Sequence, residues 1–367
     1  MSDGQTEAQE LDALRQQIDS LDQQIQQLIN QRAKCAQDVA EVKQRYAEPG
    51  QHVTFYRPER EAQVLRKVMA RNTGPLADES MARLFREIMS QCLALEEPLQ
   101  VAYLGPEGTF TQQAAVKHFG HAVQCRGEVS IADVFREVES GAANYGVVPV
   151  ENSTEGVVTH THDSFFDSSL KICGEVTLRI HHHLLIKQPG QTIRRIYSHA
   201  QSLGQCRLWL DQHFPGVERV AVSSNAEAAR LASQTADSAA IASEAAAELY
   251  ELVVQSANIE DRPDNTTRFL IIGREETEPA GDDKTSILVA NRNQPGALYQ
   301  VLEPFHNAGI SLTRIETRPA RNGTWNYVFF IDFEGHIKDQ QIAPVMEALR
   351  NVALDFKWLG SYPRAVL

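Results

Sequence analysis

At 367 residues, 42% hydrophobic and 23% charged, the chain is too long for one ordinary core and reads as two or three globular domains. A net charge of -13 argues against nucleic acid or an anionic membrane as partner, although a local arginine cluster would still hold a small anion. Cys35, Cys92, Cys125, Cys173 and Cys206 are scattered without Cys-x-x-Cys spacing, which suggests a reducing, cytoplasmic setting and no zinc site.

The polar, acidic start shows no signal-peptide pattern, and no apolar run is long enough to span a membrane. From Leu11 a heptad seam runs through Leu14, Ile18, Leu21, Ile25 and Leu28, meets Arg32, and resumes at Cys35, Val39, Val42 and Tyr46. This predicts one helix of about 50 Å. A guanidinium on such a seam needs either a carboxylate partner or an anionic ligand. Pro58 suits the first turn of a second helix with Leu65, Val68 and Met69 on one face, ended by Gly74-Pro75. Asp78 is the expected N-cap of a third, whose stripe reads Met81, Phe85, Ile88, Cys92 and then Glu96. Three such helices cannot cover the long seam, so a dimer is expected.

From Leu99 strands alternate with helices. Val101 to Leu104 leads into Gly105-Pro106-Glu107-Gly108-Thr109 and a helix from about Gln112, and Tyr145 to Val150 runs into Glu151-Asn152-Ser153. Val176, Leu178, Ile180, His182, Leu184 and Ile186 alternate as one extended strand is expected to. Further strands near Tyr197, Val220, Ala240 and Val253, with a helix near Leu203 to Phe214, make an α/β domain. The charged, Gly- and Pro-containing residues 273–284 read as a linker. Beyond it, a strand over Thr285–Ala290, a helix over Ala297–Asn307, a hairpin around Asn322-Gly323, a helix over Asp339–Val352 and a strand near Lys357 give the βαββαβ, ferredoxin-like order. The expected domains are 1–97, 98–273 and 285–367, with 274–284 between the last two.

Arg15, Arg32 and Lys43 supply cations on the first helix, Arg60-Glu61 opens the second, and Arg32 and Lys43 share a face. Over residues 11–96 this constellation resembles the all-helical chorismate mutases, which implies a three-helix domain in an intertwined dimer. By that resemblance Arg32, Arg60 and, across the dimer, Arg15 bind substrate carboxylates, Lys43 donates to the ether oxygen, and Glu61 contacts the hydroxyl. Arg57 and Cys92 fall where the family has Asp and Ser. Glu96 stands where the family has Gln, and a carboxylate must be protonated to donate as that amide does.

Asn265-Thr266-Thr267-Arg268-Phe269 enters a strand after a turn at Pro263-Asp264. With the Gly105–Thr109, Glu151–Ser153 and Tyr197-Ser198-His199 segments, it makes residues 100–272 resemble prephenate dehydratase, a fold of two α/β lobes around a cleft. The resemblance makes Thr267 the residue that polarises the leaving hydroxyl and Arg268 a carboxylate ligand, with Glu151, Asn152, Ser198 and Gln205 lining the cleft. The C-terminal module resembles an ACT domain. There Gly296, Ala297 and Leu298, in Asn293-Gln294-Pro295-Gly296-Ala297-Leu298, and Glu316, Thr317, Arg318 and Pro319 correspond to effector-binding segments, with phenylalanine the implied effector.

His181-His182-His183 with His160 and His162 invites a metal, but no Asp, Glu or Cys stands at supporting spacing, so no metal or other cofactor is expected. The leading expectation is an enzyme taking chorismate to prephenate and prephenate to phenylpyruvate, with catalysis independent of residues 277–367. The rivals are a mutase fused to prephenate dehydrogenase, for which no Gly-x-Gly-x-x-Gly turn is present, and a non-catalytic ligand-sensing protein.

Overall fold

The structure, a computed structural model, describes residues 3–48, 54–292, 294–319 and 327–367, so Asn293 and the Asn322-Gly323 turn lie outside the described residues. Helices α1 (Asp3–Arg45), α2 (Pro58–Arg71) and α3 (Asp78–Glu96) come first. Pro58 opens α2 as expected, but the N-cap position of α3 is Ala77, and Asp78 instead accepts from Asn72 Nδ2 at 2.8 Å. On α1, Leu14, Ile18, Leu21, Ile25 and Leu28 are each more than half exposed, so the apolar seam has no cover within one chain.

The first α/β lobe holds β1 (Gln100–Leu104), α4 (Phe110–Phe119), β2 (Gln124–Glu128), α5 (Ile131–Glu139), β3 (Tyr145–Asn152), β4 (Gly156–Val157), α6 (Thr159–Asp167) and β5 (Lys171–Arg179). The second holds β6 (His183–Ile186), β7 (Arg195–His199), α7 (Ala200–Gln205), α8 (Arg207–His213), β8 (Glu218–Val222), α9 (Asn225–Gln234), β9 (Ser238–Ala242), α10 (Glu244–Leu249) and β10 (Val253–Ser256). The chain then returns to the first lobe as β11 (Thr266–Gly273), between β3 and β5 and antiparallel to both. The single long strand expected over Val176–Ile186 is therefore two strands in different sheets. Ile180 to His182 form the crossing between lobes, because alternating apolar residues suit two short buried strands as well as one long one.

The C-terminal module runs β12 (Asp283–Asn291), α11 (Ala297–Ala308), β13 (Leu312–Pro319), β14 (Tyr327–Glu334), α12 (Ala343–Val352) and β15 (Asp355–Pro363), with sheet order β13-β14-β12-β15. One face of this sheet packs on its own helices through Ile287, Val289, Val301, Phe305 and Ile331. The other face shares a core with the first lobe, where Leu288, Val328, Phe330, Leu359 and Tyr362 join Ala102, Val148, Phe165 and Leu270.

Residues 274–284 do not form a free tether. Thr277 and Ala280 are buried, Thr277 hydrogen-bonds the Ser361 carbonyl, and the Ala280 N–H donates to Asp283 Oδ2 at 2.8 Å. Lys357 donates to the carbonyls of Phe165, Phe166 and Ser168 at 2.6–3.0 Å, so the C-terminal module caps α6. Arg66 of α2 donates to the carbonyls of Ala280, Asp282 and Arg364. Removal of residues 277–367, expected from the sequence to leave catalysis intact, would bare an apolar face and strand the charges buried against it. A chain ending at residue 276 is expected to precipitate or to melt at least ~10 °C lower, which soluble yield and calorimetry would show.

Candidate functional site

The helical domain gathers its charges where α1 crosses α3 and the chain enters α2. Lys43 is half-buried and donates to the carbonyls of Thr54 and Phe55 at 3.3 and 3.4 Å, with its ammonium 5.5 Å from the Phe55 ring centre. Burial lowers its pKa, and Arg57 adds to that, while Glu96 and Glu59 oppose it. Burial likewise raises the Glu96 carboxyl above the usual range, partly offset by Lys43 and Arg32. Arg32, Lys43, Arg57, Glu96 and Glu59 thus form one electrostatic cluster, with Arg57 Nη1 3.7 Å from Glu59 Oε1. Cys92 is buried one turn before Glu96 on α3.

Glu61 is not in that cluster. Its Oε1 takes the Arg86 Nε–H at 3.2 Å, and Arg86 also donates to the Lys117 carbonyl, so Glu61 belongs to the interface with the first lobe. Residues two apart on a helix point about 200° away from each other, so the carboxylate that α2 turns toward Lys43 is Glu59, which spacing alone did not single out. Arg60 is exposed, and Arg15 is exposed about 25 Å along α1 from Arg32, out of reach of it within one chain.

Between the two lobes lies a cleft of ≈ 330 Å³. Of the expected residues, Thr267, Asn152 and Gln205 line it, together with Asn265, His182 and His199. Ser198 is fully buried behind it and bonded to Asn225 and the Ile241 carbonyl, while its strand neighbour His199 faces the opening.

Arg268 and Glu151 do not reach the cleft. Thr267 pairs with Asn152, and Arg268 with Glu151, across the β3–β11 ladder, and successive strand residues face opposite sides. Arg268 therefore points at the C-terminal module. It donates to Glu175 Oε2 at 2.8 Å, Asp332 Oδ2 at 2.6 Å and the Tyr362 hydroxyl at 3.0 Å, and Lys284 completes the network on Glu175. Glu151 meets Arg314 of the same module at 3.4 Å.

Among the described residues lining the cleft there is no lysine or arginine. What it offers an anion are the N-termini of α4, capped by Thr109, and α9, capped by Ser224. The histidine run is partnered within the protein. His181 Nδ1 meets Glu260 at 2.8 Å, His182 Nε2 meets Gln205 Oε1 at 2.8 Å, and His183 Nδ1 accepts the Asn258 N–H at 3.2 Å.

Strand alternation also divides the expected effector residues. Thr317 pairs with Phe329 on the helix side of the C-terminal sheet, the side where α11 begins at Gly296, Ala297 and Leu298. Gly296 holds φ 81° with open space where a side chain would stand. Glu316 and Arg318 pair with Phe330 and Val328 on the opposite face, where Arg318 meets Asp163 of α6 at 3.1 Å. Pro319 is exposed at the end of the edge strand β13.

The fold and these sites are those of a multidomain protein that joins a helical charge pocket, a two-lobed cleft and a βαββαβ module. Family models match it in the same order: chorismate mutase type II over residues 14–97, prephenate dehydratase over 101–277 and ACT domain over 285–351. The chain is 62% identical over 360 residues to a bifunctional chorismate mutase/prephenate dehydratase of Pseudomonas aeruginosa, covering 98% of this chain and 99% of that one. It is 43% identical over 364 residues to the enzyme of the same name from Aquifex aeolicus, covering 98% and 99%. A solved prephenate dehydratase from Arthrobacter aurescens in complex with L-Phe superposes with a TM-score of 0.67 at 34% identity, over 73% of this chain and 90% of that one. The chain belongs to the bifunctional chorismate mutase/prephenate dehydratase family.

Two consequences can be measured. Mutase turnover should fall as pH rises through the elevated Glu96 pKa, because only the protonated carboxyl donates, and Glu96→Gln should hold its rate to higher pH. Superimposable pH profiles would refute this. Asp332→Asn, which touches nothing in the cleft, should weaken the dehydratase–ACT unit by about 3–5 kcal/mol, read as a lower unfolding midpoint.

Proposed function

We propose that the chain rearranges chorismate to prephenate in the helical pocket, then removes water and carbon dioxide from prephenate in the cleft to give phenylpyruvate. The proposed domains are 1–97 for the mutase, 98–273 for the dehydratase and 285–367 for the ACT module, with 274–284 as an ordered connector. The observation that carries the reading is the company of Thr267. Its hydroxyl takes a hydrogen bond from Asn152 Nδ2 at 2.8 Å in a cleft lined by neutral polar groups and helix N-termini, which suits a dianion that must lose hydroxide.

The first reaction is unimolecular. The pocket's task is to hold chorismate compactly and stabilise negative charge on the breaking ether oxygen. Arg32 anchors a carboxylate, and Lys43 and protonated Glu96 donate to the ether oxygen. The exposed α1 seam supports a homodimer in which Arg15 of a second copy completes the site. In the second reaction the ring-carboxylate C–C bond breaks, its electron pair enters the ring, and the C–O bond of the leaving hydroxyl breaks as the ring becomes aromatic. Thr267 hydrogen-bonds the departing oxygen, which leaves as water with a proton ultimately from solvent. Helix N-termini bind the carboxylates in the role expected of Arg268. Gly296 to Leu298 and Thr317 form the effector site for phenylalanine on the helix side of the ACT sheet.

Incubation with chorismate and no added cofactor should yield phenylpyruvate. Thr267→Ala should abolish that product while prephenate still accumulates, and loss of both activities would instead indicate misfolding. Arg32→Met should abolish mutase turnover, leave dehydration of supplied prephenate intact, and preserve or raise the melting temperature, because it removes a charge from an apolar seam.

A further inference from the structure

Threonine hydroxyls both donate and accept, so Thr267 can assist a leaving group only if something fixes which it does. The cleft contains a chain of amides with that effect, and its direction follows from backbone atoms. The N–H groups of Thr154 and Glu155 both lie 3.0 Å from one atom of the Asn152 amide, and since a backbone N–H can only donate, that atom is the oxygen. The Asn152 NH2 is thereby turned to Asn265 Oδ1 at 2.9 Å and Thr267 Oγ1 at 2.8 Å, one hydrogen to each. Asn265, meeting Asn152 with its oxygen, gives its own NH2 to Gln205 Oε1 at 3.0 Å. The same oxygen faces His182 Nε2 at 2.8 Å, so that nitrogen carries the hydrogen and Nδ1 is left a bare, buried lone pair.

Asn265 and His182 are almost wholly buried, so bulk water does not compete for these bonds. Every amide in the chain has one permitted orientation. At its end Thr267 accepts, and among the described residues its own hydrogen has no protein acceptor, which leaves the open cleft.

We propose that Asn265 and His182 are positioning residues of the dehydratase, the far links of a polarity relay that obliges Thr267 to donate to the departing hydroxyl. The proposal rests on the dehydratase function assigned to the cleft. The relay withstands protonation of His182, because the imidazolium keeps its Nε2–H, and burial in any case lowers the pKa of that ring. The other titratable groups at the relay are Glu155, which accepts from Gln205 Nε2 at 3.4 Å, and Glu260, His181 and His183 beside His182.

The test is reversal of polarity without change of shape. In Asn152→Asp one carboxylate oxygen still accepts the two backbone N–H groups, but the other accepts from Thr267 and turns its hydrogen away from the cleft. Dehydratase kcat should fall about 100-fold or more with KM little altered, as when a preorganised donor is lost. It should partly recover below about pH 5 as the carboxyl protonates and donates again, in a range where the wild-type profile, which carries Glu155, Glu260, His181, His182 and His183 unchanged, shows no such rise. At His182, Gln places an N–H near the Nε2 position and should stay within about threefold of wild type, whereas Asn cannot reach and should lose about tenfold. Mutase rate serves as the folding control in each variant. An Asn152→Asp profile parallel to wild type, or equal losses in the two His182 variants, overturns the relay. Phenylpyruvate formation surviving in Thr267→Ala would overturn the dehydratase assignment itself.

Discussion

Alternation along one antiparallel ladder governs this molecule. β3 and β11 lie side by side in the middle of the first lobe's sheet, and their paired residues take turns facing its two sides. Thr267 and Asn152 look into the cleft, while the next pair, Arg268 and Glu151, looks into the ACT module. Chemistry and interdomain contact thus occupy adjacent residues of the same two strands. A register slip of one residue would exchange the two faces completely, presenting a guanidinium to the cleft and a hydroxyl to the charge network.

Arg268 also shows why the two units hold together so tightly. A buried guanidinium is costly unless its donors are used, and here Glu175, Asp332 and Tyr362 take them while Lys284 adds a second cation on Glu175. Burial works against the charge of Arg268 and against that of Asp332, yet Asp332 and Tyr362 hold the guanidinium protonated and Arg268 holds the Asp332 carboxyl below its usual range. Around this network the apolar core is continuous, so the ion cluster fixes orientation where hydrophobic packing alone would let the two surfaces slide.

Much of this was legible in the sequence. The heptad seam announced α1, Pro58 opened α2, and Arg32 with Glu96 marked the helical pocket because each puts a charge on an apolar stripe. What escaped was direction. The Thr-Arg-Phe string identifies the strand, but which neighbour faces the cleft depends on pairing with a strand more than a hundred residues away. The same holds for Ser198 against His199 and for Glu316 and Arg318 against Thr317. Glu61 and Glu59 are equally good carboxylates near a helix start, and only the packing of α2 against the first lobe decides between them. The crossing at Ile180 to His182 was invisible because periodicity does not register a change of sheet. Asn265 stands out in the sequence only as part of a string, since a buried amide reveals its use through its partners.

Lys357 carries a consequence for how such a chain can be recombined. A helix in one module ends on carbonyls satisfied by a lysine from another, and the Arg66 guanidinium does the same between the mutase and the connector. Boundaries drawn from similarity alone would cut through these caps. A chimaera joining this dehydratase to a foreign regulatory module would inherit α6 without its lysine and Arg268 without Asp332 and Tyr362. The dehydratase and its ACT module share one apolar core and form one heritable block, to which the mutase is fastened through α2 and α3.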